Sequence, residues 1–320
     1  MIATYSERLA VLCFASFFLI HLALGLLSHG LSPWLRRASR SMRPQTVSRT
    51  SIVLRLASAC LSILIVAAIC IPSYLRYEGN STTEEIGLLC LVPACLGFFI
   101  CLIAIMRAAH AVVQSILLTR KLCTSEISEP WYLNREIDGF QSMALVGLFK
   151  SRVVVSPLVL KTLTVEQLQA ALDHEQAHRS SGDNFKRLLI LLAPDLFPFI
   201  HSFRAIENLW ERSAELSADD RATRGQPSRS IALAEALIKL ARLERSQTPP
   251  PLVSGLFAAP EGLAARVERL LQPEQAREVP SSSRALNRAG LCVLLVGSAF
   301  VLPHLRIFQS VYHLLESMLR

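Results

Sequence analysis

Strongly hydrophobic blocks alternate with polar stretches along this chain. Residues 9–27 and 86–106 contain no charged side chain, and Arg55 is the single charged residue within 52–71. A helix of about 20 residues is roughly as long as the hydrocarbon core of a bilayer is thick. We therefore predict three membrane-spanning helices at these positions. A shorter apolar block predicts a fourth span at residues 289–305.

Arginines predict the orientation of these spans. Five lie between the first two spans with no acidic residue among them: Arg36, Arg37, Arg40, Arg43 and Arg49. In the next loop, Arg76 is outnumbered by glutamates. By the positive-inside rule the first loop is cytoplasmic, so the N-terminus lies outside and the segment between spans three and four lies inside. We expect a multi-pass protein of a bacterial-type inner membrane.

Composition agrees with a membrane protein and excludes other classes. Hydrophobic residues make up 52% of the chain and charged residues 18%. The net charge of +8 comes largely from the arginines of the first loop, whose natural counterion is anionic lipid of the bilayer. Direct nucleic-acid binding is not expected, because no basic and aromatic residues interleave. Seven of eight cysteines lie in apolar blocks, so the chemistry is expected to depend on other residues.

The segment between spans three and four, residues 107–288, predicts a small α+β domain. Two apolar runs at 143–149 and 152–156 indicate a β-hairpin. Residues 188–200 are apolar but too short to span, which predicts a re-entrant or interfacial segment. The expected fold is a mainly α membrane protein with four spans and an inserted cytoplasmic domain. The membrane part would cover residues 1–106.

One helix in this domain carries the candidate chemistry. Thr164 and Gln167 form a capping-box pattern, and no Gly or Pro interrupts the run until Gly182. His174 and His178 therefore lie one turn apart on one helix face, at the spacing that holds a single Zn²⁺ ion. Between them, Glu175 is placed to take a proton from water. This HExxH pattern predicts a zinc hydrolase, most simply a peptidase. Asp183 is expected to cap the following helix.

A catalytic zinc site requires a third protein ligand. Four acidic residues recur at intervals of four on the next predicted helix: Glu207, Glu211, Glu215 and Asp219. Such a stripe is usually a solvated face paired with nearby arginines, and we expect this for Glu207 and Glu211. Spacing alone leaves the third ligand open.

Several motifs resemble the BlaR/MecR family of integral-membrane zinc metallopeptidases, a group of membrane gluzincins. They are RVVVSP at 152–157, HEQAH at 174–178 with Asp183 and Asn184, AELSAD at 214–219, and ARVERLL at 265–271. The pair formed by HExxH and Glu-x-x-Ala-Asp is the specific element, and the resemblance covers roughly residues 86–305. It implies a gluzincin-type fold and one zinc ion per chain.

The resemblance also implies roles for single residues. Glu215 would be the third zinc ligand beside His174 and His178, and Asp219 would fix the tautomer of a ligand histidine. An edge strand beside the active-site helix would pair with extended substrate. This role falls on Val153, Val154, Val155 and Ser156. Ordinary hairpin packing is the alternative for these four residues.

The expected function is zinc-dependent endopeptidase activity on cytoplasmic or membrane-associated proteins. By resemblance, the output would be cleavage of a transcriptional repressor or of membrane-protein segments. Residues 306–320 are too few for the penicillin-binding sensor domain of the best-known relatives, so we expect that domain to be lacking. Two alternatives stay open. One is a quality-control or CAAX-processing membrane gluzincin, and the other is a catalytically idle receptor or scaffold, which the intact Glu175 disfavours.

Overall fold

A computed structural model gives the architecture of the chain. It describes residues 4–77, 87–122, 132–134, 143–148, 151–197, 203–243, 254–255, 262–272, 313–314 and 317. These residues are mostly helical. The predicted fourth span and nearly all of the tail after it lie outside the described residues, as does most of the chain between the last helix of the domain and that span.

Long apolar helices form one end of the protein. They are α1 (Tyr5–Ala38), α2 (Pro44–Ile65) and α4 (Leu88–Leu122). Helix α2 continues through a π-helical segment (Val66–Cys70) into α3 (Ile71–Tyr77). Within the described part of the chain, three helical stretches are long and apolar enough to cross a membrane, which agrees with the first three predicted spans and suggests membrane association. They run past the predicted blocks, because apolar composition marks the lipid-facing part of a helix and not its ends.

The spanning helices pack closely where their side chains are small. A Cβ atom added at Gly97 of α4 would lie 2.4 Å from the carbonyl oxygen of Phe14 in α1. Small hydroxyl residues are buried along one side of α2: Ser48, Ser51, Ser58 and Ser62. Small residues let spanning helices approach each other without an apolar ridge between them.

A four-stranded sheet begins the domain that follows α4. Its order is β1-β3-β2-β4, with β1 at Tyr132–Asn134, β2 at Met143–Val146, β3 at Arg152–Val155 and β4 at Ser254–Gly255. Strands β2 and β3 form the predicted antiparallel hairpin, with Leu145 opposite Val153. Strand β1 pairs with β3 in parallel, and β4 pairs with β2.

The prediction of a substrate-binding edge strand at Val153, Val154, Val155 and Ser156 is wrong in its geometry. Strand β3 has a hydrogen-bonded neighbour on both sides, so its backbone is not exposed at an edge. Ser156 lies beyond the strand and caps the next helix, where its Oγ accepts a hydrogen bond from the Val159 amide at 3.3 Å. Strand β1, which covers the side of β3 away from the hairpin partner, is three residues long, too short to be recognised from sequence.

Six further helices of the domain lie in the described residues. They are α5 (Pro157–Thr162), α6 (Val165–Ser181), α7 (Asp183–Leu192), α8 (Arg204–Thr223), α9 (Pro227–Leu243) and α10 (Leu263–Leu271). One face of the hairpin packs on α6 and α9 in the main hydrophobic core, through Met143 and Val155 among others. The opposite face packs against Leu118 of α4. The third spanning helix therefore continues into the domain as a structural element.

The segment predicted to be re-entrant or interfacial begins as the second half of α7. Residues 193–197 then bend away from the helix, and residues 198–200 lie outside the described part. Asp195 accepts a hydrogen bond from Arg107 of α4 at 2.8 Å and lies 3.5 Å from Arg55 of α2. The segment is thus attached to two of the spanning helices at the ends of their apolar blocks.

Candidate metal centre

Helix α6 places both histidines of the HExxH pattern in the protein interior. Its start is fixed by the predicted capping box, in which Thr164 and Gln167 exchange side-chain and backbone hydrogen bonds. Its end is fixed by Gly182, whose φ of 66° is in the left-handed region. His174 and His178 are 0% and 1% exposed. Burial of two polar rings on one helix face requires partners for their nitrogens.

Ring nitrogens of the two histidines face each other. The Nε2 atoms of His174 and His178 are 3.1 Å apart. Carboxylate oxygens of Glu215, from α8, lie 3.5 Å from each of these nitrogens. The three residues are buried and offer ligand atoms that lie within 4.8 Å of one another. Helices α6 and α8 thus bring the predicted third ligand to the two histidines.

The other ring nitrogen of each histidine faces a carboxylate. His174 Nδ1 lies 3.0 Å from Asp219 Oδ1, and His178 Nδ1 lies 2.7 Å from Asp183 Oδ2. A carboxylate at Nδ1 holds the proton on that nitrogen and leaves the Nε2 lone pair free. Both lone pairs therefore point into the space beside Glu215. Asp219 stands where the resemblance predicted a carboxylate, and Asp183 adds a second one.

Arg266 of α10 closes the cluster from the far side. Its Nε and Nη2 atoms donate to both oxygens of Asp219, at 2.9 and 2.7 Å, and its Nη1 lies 3.0 Å from Glu215 Oε2. A guanidinium fork that engages a carboxylate through two bonds fixes both its position and its orientation. Arg266 therefore aligns the acidic side of the site.

Charges around the two histidines favour their protonated forms. Burial lowers the pKa of His178, but the charge of Glu215 and the hydrogen bond to Asp183 outweigh it and raise that pKa to about 10. Burial also lowers the pKa of His174, and hydrogen bonds to Asp219 and Glu215 overcome it. Surroundings that attract protons onto two facing imidazoles attract a divalent cation for the same electrostatic reason.

The acidic residues of the cluster stay ionised. Burial raises the pKa of Asp219, but the charge of Arg266 and the hydrogen bond from His174 leave it at about 2. Burial acts on Glu215 in the same direction, and the charges of His178 and Arg266 hold its pKa well below the ordinary value. Glu215 is therefore available as an anionic ligand.

Glu175 is the unusual carboxylate of the site. It is 0% exposed, and neither of its oxygens has a hydrogen-bond partner among the residues that the structure describes. Burial raises its pKa to about 7, against the opposing charges of the two histidines. A buried carboxylate without a partner is costly, and such groups concentrate at functional sites. Near neutral pH, Glu175 can both take and release a proton.

The donor set fits a zinc ion. Two nitrogen ligands of one tetrahedral zinc are about 3.3 Å apart. The observed separations of 3.1 Å between the Nε2 atoms and 3.5 Å from each nitrogen to Glu215 fall on either side of that value. Two ring nitrogens that face each other at this separation need a proton or a cation between them. Imidazole nitrogens and a carboxylate oxygen are also the ligand types that zinc prefers.

Other acidic residues of the predicted stripe have different roles. Glu207, expected on a solvated face, pairs with Arg55 of α2 across 2.6 Å. Glu211 is half-buried, and burial raises its pKa above the ordinary value. The expectation of a solvated face was wrong for Glu207, because that face of α8 meets a spanning helix.

Sequence reasoning missed three contributors to the site. Asp183 was expected to cap α7, but Gly182 is the N-cap and the Asp183 side chain binds His178 and Lys186. Asn184 donates to the carbonyls of Leu145 and Gly147, which ties the start of α7 to the end of strand β2. Arg266 lies in ARVERLL, one of the motifs that resemble the BlaR/MecR family, but no role was predicted for it from the sequence. The resemblance of that motif was the signal that could have identified it.

Apolar helices joined to a domain with a buried HExxH cluster define a membrane metallopeptidase. The chain belongs to the BlaR1 peptidase M56 family, whose model matches residues 63–270. That range includes α4, the sheet and every residue of the candidate metal centre. The family implies a protein substrate and a metal, typically zinc, and the clustered His174, His178 and Glu215 agree with it. No curated protein matches the chain.

Proposed function

We propose that the protein is a zinc-dependent endopeptidase whose single zinc ion is held by His174, His178 and Glu215. The observation that carries this proposal is the convergence of three buried ligand atoms beside Glu175, a buried carboxylate with no partner among the described residues. Asp219 and Asp183 hold the histidines in the ligand tautomer, and a scaffold would have no use for that arrangement. The catalytically idle alternative is disfavoured for this reason.

In the proposed mechanism, the residues of the chain divide the work of peptide hydrolysis. A bound zinc ion supplies Lewis acidity, which polarises a peptide carbonyl and makes water more acidic. Glu175 takes the proton from the attacking water and delivers it to the leaving amine, for which its pKa of about 7 is suited. Arg266 keeps Glu215 and Asp219 ionised and aligned throughout.

We propose that the substrate is a cytoplasmic or membrane-associated protein, and that regulatory cleavage of a transcriptional repressor is the output. The basic loop supports a cytoplasmic location, because its arginines are all exposed at the end of the spanning helices on which α8 packs: Arg36, Arg37, Arg40, Arg43 and Arg49. The N-terminus then lies outside. A phosphatase reporter that is active only outside the cytoplasm should be inactive when it is inserted after Arg40. Activity at that position would show that the orientation is the opposite of the one proposed.

Zinc content and proteolysis of detergent-purified protein test this function. Wild type should contain one zinc per chain and cleave casein or itself. Glu175→Gln should keep the zinc and lose cleavage, because only the base is removed. Glu215→Ala should lose both. Glu211→Gln, one turn earlier on the same helix, is the matched control and should behave like wild type.

Three other outcomes would each refute one part of the proposed function. Cleavage retained by Glu175→Gln would exclude Glu175 as the base. Full zinc content in Glu215→Ala would exclude Glu215 as a ligand. Wild type without zinc after metal loading would refute the zinc enzyme and favour the receptor or scaffold.

A further inference from the structure

A buried arginine lies where the second spanning helix meets the peptidase domain. Arg55 of α2 precedes the uncharged part of the predicted second span, and 1% of the residue is exposed. A buried charge at such a depth is costly unless it is paired and hydrogen-bonded. Its partners therefore show what the residue holds in place.

All three guanidinium nitrogens of Arg55 bind one segment of the domain, from the end of α7 to the start of α8. Nε donates to Glu207 Oε1 at 2.6 Å, Nη1 to the Pro194 carbonyl at 3.3 Å, and Nη2 to the Ala193 carbonyl at 2.8 Å. The Phe203 ring lies 4.5 Å from the guanidinium carbon. A planar fork with five N–H groups suits such a set of acceptors better than an ammonium does.

This contact fixes the start of the helix that carries the acidic half of the metal centre. Glu207 lies in the first turn of α8. Glu215 follows about 12 Å further along the helix axis, and Asp219 about 18 Å, at 1.5 Å per residue. A helix transmits displacement along its axis because its backbone is hydrogen-bonded throughout, so a shift at Glu207 moves the ligand carboxylate.

Apolar contacts attach the same face of α8 to α2. Ile52 packs against a cluster of Ile190, Trp210 and Ala214, and the last of these is the neighbour of Glu215. Leu54 packs against a second cluster that contains Phe203 and Ile206. The outer face of α8 is therefore covered by a spanning helix along several turns.

The two halves of the metal centre share one support and differ in another. Helix α6, with both histidines, packs into the core formed by the hairpin and α9, and the C-terminal part of α8 joins this core through Ala222. The rest of α8, up to the neighbour of Glu215, is seated on α2. Zinc binding requires ligand atoms within a few tenths of an ångström of their proper positions. The position of α2 therefore contributes to how well Glu215 meets the histidines.

We propose that Arg55 is a positioning residue of the metal centre: it seats α8 on the second spanning helix and thereby sets the zinc affinity of the site. This inference rests on the proposed function. It makes the second span part of the peptidase core, and a displacement of that span changes the metal site directly. A signal received in the membrane would reach Glu215 by this route.

Arg107 offers a matched control. It is a second arginine at the end of a spanning block, on α4, and it donates to Asp195 at 2.8 Å and to carbonyls of Leu191 and Ala193. It shares Asp195 and the Ala193 carbonyl with Arg55, and among the described residues none of its hydrogen bonds or ion pairs involves α8. Loss of Arg107 should therefore disturb the seating of the domain without moving Glu215.

The test measures zinc affinity of the full chain in detergent, by competition with a chromophoric chelator. Arg55→Met should weaken zinc binding about three- to thirtyfold. Arg55→Lys should recover part of the loss, because an ammonium can still pair with Glu207. Glu207→Leu should weaken binding in the same range, and combining it with Arg55→Met should add little. Arg107→Met should bind zinc within about twofold of wild type.

The possible failures can be told apart. If wild type binds no zinc, the proposed function fails and the inference fails with it. If wild type binds zinc and both Arg55→Met and Glu207→Leu bind it equally tightly, the inference alone is overturned. Where Arg55→Met does not give folded protein, Glu207→Leu and Arg55→Lys decide. Equal weakening by Arg107→Met would also overturn it, since the effect would then be general loosening of the domain.

Discussion

Replacing Asp183 by asparagine should weaken zinc binding without removing a ligand. In the wild type, Asp183 Oδ2 lies 2.7 Å from His178 Nδ1, and Asp183 Oδ1 lies 2.7 Å from Lys186 Nζ. The variant has nearly the same shape but no charge. An amide that turns its NH₂ group toward His178 would also place the ring proton on Nε2, where it blocks the lone pair that we assign to zinc.

The expected size of the effect follows from the role of such carboxylates. Loss of a partner behind a metal-ligating histidine usually weakens metal binding about 10- to 100-fold. At about 1.4 kcal/mol for each tenfold change, this is roughly 1.4–2.8 kcal/mol of binding free energy. The short hydrogen bond in a fully buried position places Asp183→Asn toward the upper end of this range.

Asp173→Asn provides the control. Asp173 is on the same helix, immediately before His174, but its side chain is partly exposed and pairs with Arg229 at 2.8 Å. Zinc affinity would be measured by chelator competition, and thermal unfolding in EDTA would report folding separately. Unchanged affinity in Asp183→Asn, or an equal loss in Asp173→Asn, would refute the assignment of His178 Nε2 as a ligand atom held by Asp183.

Two glycines give stability predictions, both measured by thermal unfolding in detergent. Gly97→Ala should destabilise the spanning helices by about 1–3 kcal/mol, because its Cβ would meet the Phe14 carbonyl oxygen at 2.4 Å. Gly30→Ala, with nothing within 4 Å, is the control, and equal stability of the two variants would contradict the close packing. Gly182→Ala should cost about 1–2 kcal/mol since its φ of 66° disfavours any side chain, and an unchanged unfolding temperature would count against that conformation.

Local patterns predicted the parts of the fold that are determined locally. The capping box at Thr164 and the stop at Gly182 both depend on residues within one turn, and both are present. The hairpin of β2 and β3 was also readable, because two apolar runs separated by a short polar step have few alternatives. The first three apolar blocks are helices as predicted, because a long apolar run is also a local property of the sequence.

Contacts between distant segments could not be read from the chain. Arg266 and Asp219 are 47 residues apart, and Arg55 and Glu207 are 152 residues apart. The spacing of acidic residues along α8 predicted a face exposed to solvent. The same spacing also fits a face that packs against another helix carrying an arginine, so the pattern alone could not decide between the two. The edge-strand prediction failed similarly, because β3 is an inner strand only through its pairing with the three-residue strand β1.

The packing of α8 bears on where the peptidase begins. A division of the sequence after residue 106 falls inside α4, which runs unbroken from Leu88 to Leu122 and supports the sheet through Leu118. Trp210 and Ile206 on α8 are 2% and 1% exposed, and α2 supplies part of their cover. Separated from the spans, the domain would expose these side chains and leave Glu207 without its cation. The helix that carries Glu215 is therefore supported by a membrane helix, so the folded unit of the candidate metal centre includes α2 as well as the domain that follows α4.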